Sequence, residues 1–333
     1  MPDFRVAAVG RAGKNRDVGD LAIEFEAERD HLTAVAYRML GSRAEAEDAV
    51  QEAWLRYAGL SPAGRDEIRD LRGWLTTTTA RICLDVLRSA RVRREAYPGQ
   101  WLPEPLVSRL PSTAPDPAET AARSDEVGTA LLYVMERLTP EQRVAFVLHD
   151  AFAVPFEEIA SALGVSVPAA RQLASRARRA VADGAPRHTA DRAQQRRVLT
   201  AFLKASEHGD LDELMAVLAP DVVFVGDSGG HFPAARQPVL GSLQVARFVF
   251  GLLRIIPKSA QEMRTEVVEV NGGLGVVVEA VYQGGLFRSV MSFSMDGDRI
   301  TGVFNQLNPE KVARVPSPTG DGWPPPVPAV VSR

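Results

Sequence analysis

The sequence holds one cysteine, Cys83, in 333 residues. A lone thiol excludes an intramolecular disulfide and a zinc cluster built on paired cysteines. No apolar run approaches the ~20 residues of a transmembrane helix. The longest candidate, residues 248–256, is interrupted by Arg254. Residues 1–20 contain Arg and Lys but no apolar stretch of signal-peptide type, so the expectation is a cytoplasmic chain with no membrane partner. Positive charge is not in excess either: 39 Lys and Arg stand against 42 Asp and Glu, a formal net charge of −3. Nucleic-acid binders are expected to be basic, so this total argues mildly against one. Lysine is scarce, with four residues (14, 204, 258 and 311) beside 35 arginines. Arginine is the better fork for phosphates and guanine edges, although GC-rich coding produces the same bias. Local distribution has to decide.

The composition present is that of a globular protein, 45% hydrophobic and 24% charged. At roughly 100–200 residues per domain the length predicts two or three domains. Two stretches, 98–120 and 315–333, carry six prolines each. Proline removes a donor and disfavours helix in the residue before it, so both read as extended linker or tail. A shorter break, DGAPRHT, covers 183–189. The division is therefore a disordered extension at 1–20, a helical unit at 21–97 and a linker at 98–120. A second helical unit follows at 121–185, then an α+β unit at 190–313 and a disordered tail at 314–333.

In the first helical unit Leu32, Val35, Ala36, Met39 and Leu40 fall at helical spacing, with Gly41-Ser42 as stop and new cap. The next helix buries Ala46, Ala49, Val50, Ala53, Trp54 and Tyr57 and shows Glu45, Glu47, Asp48, Gln51 and Glu52 on its other face. A third helix, about 71–94, ends in a basic run with five arginines from Arg81 to Arg94 against Asp85. Such runs are usually solvated faces, and Trp74 is by default a core tryptophan.

The second unit is predicted to have a helix over 125–138, a helix capped by Thr139, and a helix-turn-helix over 156–182. There Ala170, Leu173, Ala174, Ala177 and Val181 form an apolar stripe behind the cap Ser166. The opposite face shows Arg171, Gln172, Ser175, Arg176, Arg178 and Arg179, with no acid between Ser166 and Ala182. A helix held by its partner and showing Arg and Gln outward fits the major groove. The alternative is a helical hairpin with a solvated basic face. From 190 onward the pattern becomes two helices, a strand at 221–226, a helix at 242–256 and four strands between 264 and 306. NGG, GG and DGD turns separate those strands, giving an α+β domain with a curved antiparallel sheet.

The order of elements resembles the extracytoplasmic-function sigma factors of bacterial RNA polymerase. AYRMLGSRAEAEDAVQEAWLRY (36–57) and LRGWLTTTTARICLDVLRSARVRRE (71–95) resemble region two. LTPEQRVAFVLHDAFAVPFEEIASALGVSVPAARQLASRARRAV (138–181) resembles region four. The resemblance covers about residues 21–185. It implies core RNA polymerase and promoter DNA as partners, with Asp48, Gln51 and Glu52 docking the polymerase. It further implies Trp74, Arg81, Arg88 and Arg91 at the −10 element and the helix-turn-helix face at −35. Unstacking promoter bases costs a few kcal/mol per step, which aromatic stacking and arginine contacts offset.

Residues 191–313 resemble the SnoaL-like branch of the cone-shaped fold shared with ketosteroid isomerase. Three pieces look like the sigma subfamily carrying that domain. They are Trp101-Leu102-Pro103-Glu104-Pro105, Asp227-Ser228-Gly229-Gly230-His231 and Asn308-Pro309-Glu310-Lys311-Val312. Family sequences more often read DGGGK in the loop, where Ser228 and His231 stand here. The resemblance implies that these pieces meet as an interdomain contact through which the C-terminal domain regulates the chain in cis. Ketosteroid-isomerase-like catalysis needs a carboxylate base in an apolar cone. Asp221, Asp227, His231 and Tyr282 are the candidates. Asp221 suits a structural role at a strand start, Asp227 and His231 a contact at the rim, and the strand faces offer Val276, Val278, Phe287, Val290 and Phe293, a core or pocket lining with no obvious acid. No catalytic residue, metal or cofactor is expected, and a small-molecule ligand in the cone is left open. The competing readings are a polymerase-independent one-component DNA-binding regulator and a cyclase-type enzyme.

Overall fold

The computed structural model describes residues 18–95, 97–110, 128–232, 234–282 and 285–318. The expected 1–20 extension therefore lies outside them except for its last residues, which already belong to α1 (Val18–Leu40). That helix turns at Gly41 into α2 (Arg43–Ala58), capped by Ser42, whose hydroxyl accepts from Glu45 N at 3.4 Å. Leu32, Val35, Ala36, Met39 and Leu40 are buried against Ala46, Ala49, Val50, Ala53 and Tyr57. A short α3 (Pro62–Asp66), not anticipated, precedes the long α4 (Leu71–Glu95).

The second helical unit begins with α5 (Thr129–Met135), shorter than the expected 125–138, with residues 125–127 outside the described set. It continues with α6 (Pro140–Phe146), whose Thr139 and Gln142 form a reciprocal capping box. A π-helical turn (Val147–Ala151) leads to α7 (Phe156–Leu163) and α8 (Val167–Gly184). The two helical units do not stand apart: one continuous hydrophobic core runs from Leu32 and Leu75 to Val144, Ile159 and Ala174. Phe152 after the π-turn inserts between His31, edge-on at 5.3 Å, and the Arg38 guanidinium at 4.7 Å. At the seam Arg143 is buried. It donates from Nη1 to Met39 O at 2.9 Å, from Nε to Met135 O at 3.0 Å, and pairs with Glu136. Burial lowers its guanidinium pKa to about 9, which leaves it charged at neutral pH.

The C-terminal domain starts with α9 (Arg192–His208) and α10 (Leu211–Val217), then β2 (Leu218–Asp227), β3 (Val239–Leu240) and α11 (Ser242–Ser259). β4 (Ala260–Val270), β5 (Gly273–Tyr282), β6 (Gly285–Asp296) and β7 (Arg299–Gln306) form a meander, followed by α12 (Pro309–Val312). The sheet order is β1-β4-β5-β6-β7-β2-β3. Its first strand, β1 (Val107–Arg109), comes from the Pro-rich linker and pairs antiparallel with the β4 edge, Val107 opposite Val270. The expected antiparallel sheet is corrected in one respect. β2 pairs parallel with β7, because the chain crosses through α11 and the meander before returning alongside β2. Phe202 against Phe293 and Phe224 against Phe248 fill the core under α9 and α11.

The expected disordered tail from 314 is corrected as well. Val315 is buried, its carbonyl and the Ser317 hydroxyl accept from Arg288 at 2.6 and 2.8 Å, and Arg109 donates to Ser317 O at 3.0 Å. Residues 319–333 lie outside the described set.

Arg143→Ala leaves the Met39 and Met135 carbonyls without the Arg143 donor in a buried seam. It should cost about 3–5 kcal/mol of helical-unit stability, seen as a fall in the urea midpoint of the far-UV helical signal.

Candidate interdomain lock and nucleic-acid interface

Asp227 ends β2 with no exposed surface. A buried carboxylate is tolerated only where donors replace its water. One oxygen accepts from Tyr97 OH at 2.6 Å and Gly229 N at 3.0 Å. The other accepts from Leu102 N at 2.8 Å, Lys311 Nζ at 2.7 Å and Gln306 Nε2 at 3.3 Å. Lys311 also donates to Leu102 O at 2.7 Å, and its ammonium sits 4.2 Å from the Trp101 ring centroid and 5.0 Å from that of Tyr97. Gln306 further donates to Leu102 O and Pro103 O, each at 3.2 Å. Asn308 caps α12 through Glu310 N at 3.0 Å and donates to Tyr97 OH at 2.8 Å. Gly229 has φ +59°, and a Cβ there would lie 2.6 Å from Asn308 Nδ2, so the loop must approach α12 without a side chain. Burial and then the Asp227 carboxylate push the Tyr97 hydroxyl pKa well above its ordinary value.

The same linker residues grip region two. Gly41 turns left-handed at φ +69°, and a Cβ there would lie 2.7 Å from Trp101 Cη2 and 3.3 Å from Pro103 Cβ. Buried Glu104 accepts from Arg43 N at 2.7 Å and Ser42 Oγ at 3.3 Å, placing a carboxylate at the α2 N-terminus, where the helix dipole favours it. Its carbonyl accepts from Tyr37 OH at 2.7 Å, and Glu104 N donates to Gly41 O at 2.8 Å. Pro105 is half-buried beside it. Asn271 in the β4–β5 turn accepts from Leu106 N at 2.8 Å and returns its own N–H to Leu106 O at 3.0 Å. Leu102 is buried among Val225 and Phe304 of the sheet and Ala130 of α5, with the Tyr133 ring tilted against Phe304 at 5.6 Å. The linker therefore touches all three folded units. From the C-terminal strap, Arg314 reaches Glu47 of α2 at 2.9 Å, and Arg43 and then Arg314 hold the Glu47 carboxyl below its usual pKa.

The predicted lock residues thus converge, with distinctions. Asp227 is a fully buried hub rather than a rim residue. Gly230 lies against Pro98. His231 is exposed, its N–H donating to Ser228 O at 3.0 Å, and Pro309 and Glu310 are exposed in the first turn of α12. Tyr37, Tyr97, Asn271, Gln306 and Arg314 were missed. Tyr97 adjoined the linker motif and Asn271 read only as a turn, while Gln306 carried no sequence signal. Of the residues weighed as catalytic, Asp221 is exposed and 3.5 Å from Arg187, and both Asp227 oxygens are taken by donors. The Tyr282 side chain lies outside the described residues. Among the described residues no cluster of His, Cys, Asp and Glu could hold a metal ion, and no helix is long and apolar enough to cross a membrane.

On α2, Asp48 and Gln51 are exposed, and half-buried Glu52 pairs with Arg56 at 3.0 Å. Trp74 is half-buried against the core, its ring 6.0 Å from that of Tyr57. Arg81 donates to Ser161 O at 2.9 Å and Oγ at 3.1 Å, and Arg88 pairs with Glu141 at 2.9 Å. Two arginines of α4 are thus engaged by the second helical unit. Arg91 lies near the end of α4, its side chain outside the described residues. On α8, Ser166 caps the helix through Ala169 N at 3.4 Å. Gln172, Ser175, Arg176 and Arg179 are exposed. Arg171 lies over the Phe156 ring, 3.9 Å from Glu157, and Arg178 pairs with Asp150 at 2.5 Å.

Residues 25–93 match the family profile for Sigma-70 region 2 and residues 129–181 that for Sigma-70, region 4. The chain is 42% identical over 317 residues to the ECF RNA polymerase sigma factor SigJ of Mycobacterium tuberculosis, across 90% of this chain and 97% of that protein. It is 41% identical over 202 residues to the probable ECF RNA polymerase sigma factor SigI of the same species, across 60% of this chain and 67% of that one. The crystal structure of M. tuberculosis SigJ superposes with a TM-score of 0.69 at 39% identity, covering 88% of this chain and 98% of that chain. The C-terminal unit is α+β, a mixed seven-stranded sheet with helices packed on it.

Two outcomes follow from the hub. Asp227→Ala takes the carboxylate away from Lys311 and Leu102 N, and breaking such a buried pair costs about 3–5 kcal/mol. Trypsin should then cut at Arg109 much faster than in the parent. Tyr97 is held neutral by its raised pKa, so its contribution is complete below the ordinary tyrosine value of about 10 and is lost as pH rises through the folded value. Protection of Arg109 should decline above about pH 10, and less steeply in Tyr97→Phe.

Proposed function

Given that the chain belongs to the extracytoplasmic-function family of RNA polymerase sigma factors, we propose that its C-terminal domain controls it in cis by holding it closed. As an alternative sigma factor it directs core RNA polymerase to specific promoters and initiates transcription. The finer reading rests on one observation, the buried Asp227 hub, which needs the linker, α12 and the sheet together.

In the closed arrangement region four takes up Arg81 and Arg88, the cations proposed to hold the opened −10 strand. Promoter opening requires those arginines for exposed phosphates and bases, so regions two and four must separate. The polymerase would dock on Asp48, Gln51 and Glu52 of α2. Acids suit a protein partner there, because DNA phosphate would repel them. Arg314 is bound to Glu47 on this same helix, so the strap and the polymerase meet at adjacent positions. Gln172, Ser175, Arg176 and Arg179 of α8 remain exposed for the −35 element. A polymerase-independent regulator would leave the α2 acids and the α4 arginines without work.

Affinity for core polymerase is reduced by the fraction of chain that is closed. Asp227→Ala should therefore tighten binding to core, by up to about a hundredfold at the lower end of the ~3–5 kcal/mol that the hub contributes to the closed state. Equilibrium titration of labelled protein with core polymerase measures it. Run-off transcription by core polymerase with full-length protein and with residues 1–189 tests the wider reading. Unequal output is expected, and equal output from the two would remove cis control.

A further inference from the structure

The basic face of α8 is not one surface. Gln172, Ser175, Arg176 and Arg179 fall at i, i+3, i+4 and i+7, a single exposed stripe along the helix. Arg178 lies outside that stripe, and its Nε is 2.5 Å from Asp150 Oδ1 in the π-helical turn. The opposite side of α8 buries Ala170, Ala174 and Ala177. Val167, Leu173 and Val181 pack on the core at the margins of this seam, but its buried centre is alanine, which offers few knobs to fix the rotation of the helix about its own axis finely. The π-turn is a firm reference for that rotation. His149 stacks on Phe156 at 4.1 Å and lies 3.3 Å from Val154 O, Ala153 adopts φ +52°, and Phe152 is set into region two beside His31.

Resting on the sigma-factor reading, we propose that Asp150 and Arg178 form a positioning pair. It fixes the rotation of α8 so that Gln172, Ser175, Arg176 and Arg179 face the −35 duplex, and Arg178 itself makes no DNA contact. Its guanidinium is already neutralised by a carboxylate of its own chain, and a phosphate could engage it only by displacing Asp150. A partly exposed ion pair adds little to overall stability. Its loss therefore acts through geometry, since misplacing the stripe by a fraction of a turn removes base-edge contacts together.

The test is binding of holoenzyme, core polymerase with the full-length chain, to a promoter duplex it selects from a random pool, measured across a salt series. Each phosphate contact contributes about 0.9 to the slope of log K against log salt. Arg176→Ala should lose affinity and flatten that slope by about one. Arg178→Ala and Asp150→Ala should each lose up to about fivefold, the ceiling set by a partly exposed pair worth at most ~1 kcal/mol, with the slope unchanged. The double variant should be no weaker than either single one. Asp150→Glu should restore binding, and Asp150→Asn, which keeps the shape of the turn, should behave as Asp150→Ala with an unaltered thermal midpoint. A slope flattened by about one in Arg178→Ala, with undiminished binding by Asp150→Ala and Asp150→Asn, would overturn the proposal by making Arg178 a phosphate contact. Failure of the parent holoenzyme to select any promoter would instead overturn the sigma-factor reading, and the pair's role with it.

Discussion

A fully buried carboxylate sets the terms for the whole molecule. Asp227 has no water to replace a lost donor, so every donor it uses must be in place for it to stay buried. Those donors are drawn from Tyr97 and Leu102 of the linker, Gln306 at the end of β7 and Lys311 on α12. Residues more than 200 positions apart in the chain are thereby made interdependent. An exposed pair would add little and would tolerate partial loss. A buried one converts docking of the linker into a nearly all-or-none event, because any half-docked state leaves a charge stranded.

The linker transmits that constraint to the helical units. Its Trp101 and Pro103 fill the space that Gly41 leaves open, and Glu104 occupies the N-terminus of α2. Once the corner between α1 and α2 is held, α4 lies against α6 and α7, and region four engages Arg81 and Arg88. The buried Arg143, bonded to Met39 and Met135, makes that seam polar and specific rather than merely apolar. On the proposed reading, a lock at the hub is felt at the −10 surface through rigid helices with few intermediate arrangements.

Much of this was legible beforehand, for identifiable reasons. Helix periodicity with Gly41-Ser42 placed α1 and α2, and Thr139 and Ser166 announced α6 and α8 through caps that act within a few residues. The motif pieces around Trp101, Asp227 and Lys311 were legible as partners only by resemblance. Their chemistry depended on burial, which inverted Asp227 from a rim residue to a hub. Strand β1 was hidden because a Pro-rich segment has no alternation to read, and its pairing is supplied by the β4 edge. The strap at 314–318 was read as tail because proline surrounds Val315, whereas Arg288 holds its carbonyl. The parallel β2–β7 pair depends on a crossover longer than any local pattern.

The net charge of −3 illustrates the division between the two levels. By itself the sequence determined the local elements, the arginine-rich face of α8, the acidic face of α2 and the α+β character of the last unit, because these follow from periodicity, caps and turns. Only the tertiary structure decided which charges are committed. It joined Arg81 to Ser161, Arg88 to Glu141, Arg178 to Asp150 and Lys311 to Asp227, leaving Arg176 and Arg179 exposed on α8. Charge composition is additive along a chain, but neutralisation is a matter of distance, and distances between remote segments exist only once the chain has folded.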